Sequence, residues 1–408
     1  MPNHQTDQSH LALAEEYNMK TPTLTLGVVF GAALAVSGAA QATVSHVFVS
    51  NSGDATVSVV QCVTSKGKEP IKCREKERTD VGFNFSWPAN QYDGHPAWWW
   101  TGLSGEVVGV KAKASLSPLD DADSVVFVDT STYDENGRRS SGSNFIGISP
   151  DGRTAWNSAR EVDLIQEIDT DPGSPTFGTI LTSIPVPDLD PETGQTSSRG
   201  AARPCDATIT PDGRFFLEPD LGGESLTIVD IEAGEIIYQV QPPRAFPDEK
   251  VSPFMATTNG KIVLVENLEG DNTYDIWDIS DLPGPPVHLK KLTQDDELGV
   301  NAQTSEFTPD GRYAYLIMGG DLNSDLSADA SRLDVLDVDD SSPDYLQIVN
   351  RIDLPEKCNA STGDFSNDGR YFFVNCQNRN ELVVVDNEDQ SVVSQVAVGG
   401  GPRGVIVR

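Results

Sequence analysis

The chain has 408 residues, more than one ordinary domain and fewer than three, unless repeats around a closed ring add about 40 residues per unit. Hydrophobic residues at 38% and aromatics at 7% supply a folded core and exclude general disorder, while 35 Gly and 26 Pro furnish turns for many short strands. Acidic residues outnumber basic ones 62 to 29, and the formal charge of -33 repels nucleic acid and anionic lipid, so neither is an expected partner.

Only 12 of the basic residues are Lys, a balance that suits either saline surroundings or an ordinary acidic secreted protein. Residues 1–42 read as a signal-peptide region. Lys20 is the positive flank, Leu26 to Val36 the apolar core and Ala40-Gln41-Ala42 a small-x-small cleavage site before Thr43. The apolar run is shorter than the roughly 20 residues a membrane span needs, so no span is expected in the mature protein. Residues 1–18 fit no signal pattern, which makes Met19 a candidate start. The expected location is periplasmic or secreted, and residues 43–408 are expected to form one domain.

Export permits disulfides. Of the five Cys, Cys62 and Cys73 flank the turn Ser65-Lys66-Gly67-Lys68, and Cys358 and Cys376 flank Asn367-Asp368-Gly369. Both pairs are expected to be bridged, leaving Cys205 over; the alternative is five buried thiols.

A turn phrase recurs at Ser149-Pro150-Asp151-Gly152-Arg153, Thr210 to Arg214, Thr308 to Arg312 and Ser366 to Arg370, with a weaker copy at Thr258-Asn259-Gly260-Lys261. Counted from Asp151, the steps are 61, 47, 51 and 58 residues. Asp-Gly and Asn-Gly supply the positive-φ positions of a tight hairpin. After each turn come three apolar runs, for example Phe215 to Leu217, Leu226 to Asp230 and Ile236 to Val240. Four antiparallel strands per unit, without helical periodicity, predict an all-β β-propeller.

The ends of the chain complete the pattern. Val405 to Arg408 reads as a first strand with nothing behind it, and His46 to Asn51 and Thr56 to Val60 read as a second and a third. Joined in one blade, they close the ring and remove two exposed edges. First strands are expected at Trp98 to Leu103, Phe145 to Ser149, Cys205 to Thr210, Phe254 to Thr258, Ala302 to Phe307, Ala360 to Phe365 and Val405 to Arg408. That predicts seven blades; six remain the alternative if residues 96–140 are an insertion.

Phe48-Val49-Ser50-Asn51 with Val57 to Val60, the Asp-Gly-Arg turns and the ending Val396 to Gly404 resemble YVTN-type propeller repeats over most of residues 43–408. The resemblance implies the fold and little about activity. Its superfamily includes lactonases, heavy-chain-like dehydrogenase subunits, haem and copper enzymes and non-catalytic binding proteins.

Histidines are few: His4, His10, His46, His95 and His288. Neither a multi-His copper site nor a haem site is expected from so few, and Cys-x-x-Cys-His is absent from the sequence. No Gly-x-Ser-x-Gly nucleophile phrase is present either. The best constellation is His95 before Pro96, with Trp98 and Trp100 on one face of the following strand. It is joined by Arg203 before Pro204 and Arg403 after Pro402. Together they would line a channel mouth suited to a small anionic ligand. The plainer readings are inter-blade packing for the Trp residues and backbone contacts for the Arg residues.

Asp321 to Leu326 begins like an EF-hand loop, but Leu326 stands where Gly is required and Arg332 where Glu is. Asp188, Asp190 and Glu192, or Asp129, Asp134 and Glu135, are the loops in which Ca2+ would find irregular ligation; solvated acidic loops are the alternative. The expected function is an exported binding or scaffold module acting on a ligand or protein partner. The alternative is a periplasmic enzyme, either a lactonase-like hydrolase or a dehydrogenase subunit. For a hydrolase, Asp206, Glu306 and Asp364 on first strands are the candidate carboxylates.

Overall fold

The computed structural model describes residues 44–64, 71–80, 87–88, 98–103, 106–111, 125–130, 146–188, 202–244, 251–267, 272–321 and 330–407. Of Trp98 and Trp100 it describes the backbone alone, and His95 and the signal-peptide region lie outside it. The calcium readings fall mostly outside it as well; Asp129, Asp188, Asp321 and Arg332 are the members within.

The recurrent turns fold as their chemistry requires. At Thr210 to Phe215 the Thr210 hydroxyl donates to Asp212 Oδ1 at 2.6 Å, and the Arg214 amide donates to the same oxygen at 3.1 Å. The Phe215 amide donates to the Thr210 hydroxyl at 3.0 Å, and Gly213 takes φ +74°. The copies beginning at Ser149, Thr308 and Ser366 repeat these bonds. The turns also stack on one another. A Cβ on Gly213 would lie 2.8 Å from Pro150 of the preceding turn, one on Gly260 3.3 Å from Pro211, and one on Gly369 3.3 Å from Pro309. The Pro of each phrase therefore packs on the Gly of the next.

Seven four-stranded antiparallel sheets result. Blade 1 orders Pro402–Val407, Val44–Asn51, Thr56–Val63 and Lys72–Asp80 from first strand to fourth. Blade 2 comprises Trp87–Pro88, Trp98–Leu103, Glu106–Lys111 and Val125–Asp129; blade 3, Ile146–Ile148, Thr154–Ala159, Leu164–Asp169 and Ile180–Pro185. Blade 4 is Thr208–Ile209, Phe215–Asp220, Ser225–Asp230 and Glu235–Val240; blade 5, Pro253–Thr258, Ile262–Asn267, Thr273–Asp278 and Val287–Leu292. Blade 6 is Ala302–Phe307, Tyr313–Met318, Arg332–Asp337 and Ile348–Asp353; blade 7, Gly363–Phe365, Tyr371–Cys376, Glu381–Asp386 and Ser391–Ala397.

The clasp forms as expected: Val47 pairs Val407, Phe48 pairs Ile406 and Val49 pairs Val405. First strands of successive blades neighbour one another around a central channel from blade 3 round to blade 2, and the second strand of blade 2 meets the first strand of blade 3. Second and third strands are buried on both faces, as in Phe215–Asp220 and Ser225–Asp230, and fourth strands carry the outer surface. Apolar clusters sit between blades. Tyr274 and Leu316 meet between blades 5 and 6, Tyr315 and Phe372 between 6 and 7, and Val49 and Phe373 between 7 and 1. Each fully buried aliphatic or aromatic side chain there contributes about 1.5–3 kcal/mol.

Blade 2 departs from expectation. Trp98–Leu103 is its second strand, since Trp87–Pro88 pairs ahead of it, and the Leu103–Glu106 hairpin joins second to third strand. The spacing from Pro96 to Gly105 thus matches the spacing from Pro204 to Gly213 without sharing its register.

Both disulfides are present, Cys62–Cys73 across the third and fourth strands of blade 1 and Cys358–Cys376 in blade 7. Cys205 is buried outside both. Among the described residues no helix is long and apolar enough to cross a membrane.

Candidate functional site in the central channel

Antiparallel alternation assigns each feature to one end of the ring. First strands begin at the mouth where blades connect and second-to-third hairpins gather; the Asp-Gly turns lie at the other. Arg203 and Arg403 belong to the first mouth. Pro204 opposes Asp220 as Pro402 opposes Asn51, both at the ends of second strands. Arg203 is exposed with φ +56°, its amide donating to Asp163 Oδ1 at 2.7 Å and its carbonyl accepting from Leu221. Arg403 is exposed on the first strand of blade 1, its carbonyl accepting from Thr362 Oγ1 at 2.6 Å. The two stand on blades 4 and 1, three steps apart around the ring. Grouping His95 with them requires a first strand directly after it. The strand that follows is a second strand, so that ground for the grouping is gone.

Inside, the channel encloses about 210 Å³, walled by residues on or just before the first strands, including Gly147, Asp206, Thr208, Thr257, Glu306 and Thr362. An inner edge exposes backbone groups that need partners. Here threonine hydroxyls supply them from blade to blade. Thr208 Oγ1 donates to the Ala256 carbonyl at 2.8 Å, Thr257 to Ser305 at 2.9 Å and Thr304 to Ser361 at 2.9 Å. Carboxylates serve the amides: Ala256 donates to Asp206 Oδ2 at 2.6 Å and Val407 to Asp364 Oδ2 at 2.7 Å.

The three candidate carboxyls therefore differ. Asp206 and Asp364 each tie their strand to the next blade. Burial, partly offset by those amide bonds, lifts both to a pKa of about 7. Glu306 is half-buried on the channel wall and accepts no hydrogen bond from the described residues. Burial, and then repulsion from Asp364 on the neighbouring blade, hold its carboxyl well above the usual carboxylate range. A pair of this kind shares its protons.

Two further acids lie behind the wall. Glu218 accepts from the amides of Cys205 and Asp206, and the Ser158 hydroxyl, with one proton, lies within hydrogen-bond reach of both the Glu218 carboxyl and the Asp206 carbonyl. Glu266 is 1% exposed and neither of its oxygens has a hydrogen-bond donor among the described residues. Burial first, then charge repulsion (from Asp220 for Glu218, from Asp206 for Glu266), raises both. Sequence reasoning missed this pair because second strands buried on both faces show no inside-outside alternation. Among the described residues no three metal-ligating side chains converge.

The chain is a seven-bladed β-propeller. Solved structures bear this out at the level of fold. The periplasmic gluconolactonase PpgL of Pseudomonas aeruginosa superposes with a TM-score of 0.63 at 15% identity, covering 90% of this chain and 99% of that one. A protein from Lactobacillus plantarum gives 0.61 at 10% identity, over 90% and 100% of the two chains. Kuenenia stuttgartiensis hydrazine synthase gives 0.56 at 14%, over 80% and 91%. No family model and no curated protein sequence matches the chain.

Proposed function

We propose that this is an exported propeller of the YVTN-repeat type that binds a small polar molecule in its central channel, entering past Arg203 and Arg403. Glu306 carries the reading: a half-buried carboxyl, with no donor among the described residues, on the wall of a 210 Å³ channel. A structural acid in a propeller ties one blade to the next, as Asp206 and Asp364 do; Glu306 does not. The signal-like amino terminus and the two disulfides support export. Trp98, Trp100 and His95 enter no step of this reading.

The test is a thermal-shift screen of the mature protein against polar metabolites. A ligand at a hundred times its Kd adds about 2.7 kcal/mol of stability, which should be absent in Glu306→Gln. A screen without a Glu306-dependent hit would count against the proposal.

A second reading, lactone hydrolysis, is favoured by the Glu306–Asp364 pair, because one carboxyl able to take a proton beside one holding a proton suits general acid–base work. The oxyanion formed would need a donor, for which Arg403 is the candidate. Base uptake by the wild type and by Glu306→Gln on glucono-δ-lactone decides it: equal rates would end this reading.

A further inference from the structure

We propose that the channel is built for a small organic cation of the amine or amidine class, with the Glu306 carboxylate as its anchor. This rests on the channel being the binding site, and it names the chemistry of the occupant. The decisive observation is the direction of the hydroxyl bonds. A threonine hydroxyl has one proton and two lone pairs. Thr208, Thr257, Thr304 and Thr362 each spend that proton on a carbonyl of the next blade. Toward the channel they have only lone pairs left. Two inner-edge amides, those of Ala256 and Val407, are likewise engaged by Asp206 and Asp364. The wall therefore offers acceptors and little to donate, the complement of a ligand rich in N–H groups. Among the described residues that line it there is no Lys, Arg or His. An anion would meet lone pairs and carboxyls; an ammonium or amidinium group would meet partners.

The volume, about 210 Å³, equals roughly seven waters at ~30 Å³ each and accommodates an amine of a few carbons. A divalent metal is the poorer fit, since no three ligating side chains converge among the described residues.

The experiment is calorimetric titration of the mature protein with three four-carbon probes, putrescine, 1,4-butanediol and succinate, in 0.5 M NaCl to screen the general acidity of the surface. Putrescine should bind at one site, the diol and succinate at least tenfold more weakly. Glu306→Gln should weaken putrescine at least tenfold, while Glu232→Gln on the exposed surface should not. A second readout needs no variant. Binding must ionise a carboxyl that otherwise holds its proton, so wild-type titrations at pH 6.5 in two buffers of different ionisation enthalpy should reveal a released proton. Preference for succinate or the diol would overturn the cation assignment and leave the small-molecule reading standing. Putrescine binding that ignores Glu306 or releases no proton would overturn the assignment, and so would a wild type that binds none of the three. In that last case the metabolite screen decides the broader reading separately.

Discussion

The Val407 amide donates to Asp364 Oδ2 at 2.7 Å, so the last first strand is held by blade 7 as well as by its own sheet. Val405, Ile406 and Val407 are all buried, and Val405 and Val407 join the apolar cluster between blades 7 and 1. Ile406→Ala should cost about 2–4 kcal/mol, read as a lowered urea midpoint at unchanged m-value. Deleting residues 402–408 should abolish the cooperative transition, because two sheet edges are then exposed.

Stability should fall as pH rises, against the usual trend. In the folded protein Asp206, Asp220 and Asp364 are lifted to about 7, chiefly by burial, and burial likewise raises Glu218, Glu266 and Glu306 well above the usual carboxylate range. Unfolded carboxyls titrate near 4. The native state thus binds more protons than the unfolded state across the interval, and stability is lost as pH climbs from about 4 through 7. Urea unfolding at pH 5 and pH 8 should give the higher midpoint at pH 5. Glu266→Gln should shrink the difference, and a flat or opposite profile would refute the assignment.

Two glycines of nearly equal φ should respond unequally to substitution. At Gly311, φ +69°, an added Cβ would have nothing within 4 Å, so Gly311→Ala meets backbone strain alone, about 1–2 kcal/mol. At Gly213, φ +74°, the new methyl would lie 2.8 Å from Pro150. Gly213→Ala should therefore cost more than Gly311→Ala, and Pro150→Ala should relieve part of the excess in a double-mutant cycle.

Reduction should weaken blade 7. The Cys358–Cys376 bridge spans 18 residues, and closing a loop of that size is worth about 3 kcal/mol. Cys358→Ser with Cys376→Ser should lower the urea midpoint accordingly and remove most of the sensitivity of blade 7 to dithiothreitol.

What can be read from the sequence follows from where local chemistry dictates geometry. The Asp-Gly phrases announce their hairpins because few residues tolerate positive φ, and the Cys pairs can be assigned because the turns between them are clear. The clasp is legible because the unmatched strands at the two ends sum to one blade. Blade 2 reads one strand out of place: Asp93-Gly94, between its first and second strands in the chain, lacks the Ser/Thr-Pro before it and the Arg after it, and Ser104-Gly105, which joins second to third strand, imitates a first turn. Asp206, Glu306 and Asp364 stand out as first-strand acids. That two of them serve amides while Glu306 does not depends on a registration between blades that no single strand encodes.

The stack of turns is interrupted between blades 5 and 6: the blade 5 phrase, Thr258-Asn259-Gly260, lacks the Pro, and a Cβ on Gly311 of the next blade would accordingly meet nothing within 4 Å among the described residues. A hollow of about 610 Å³ opens at that place, bordered by Asn259, Lys261, Asp310 and Arg312. A row of interlocked thumbs loosens where a grip is absent, so the turn end of the seam between blades 5 and 6 should breathe more readily than the turn ends between blades 3 and 4, 4 and 5, or 6 and 7.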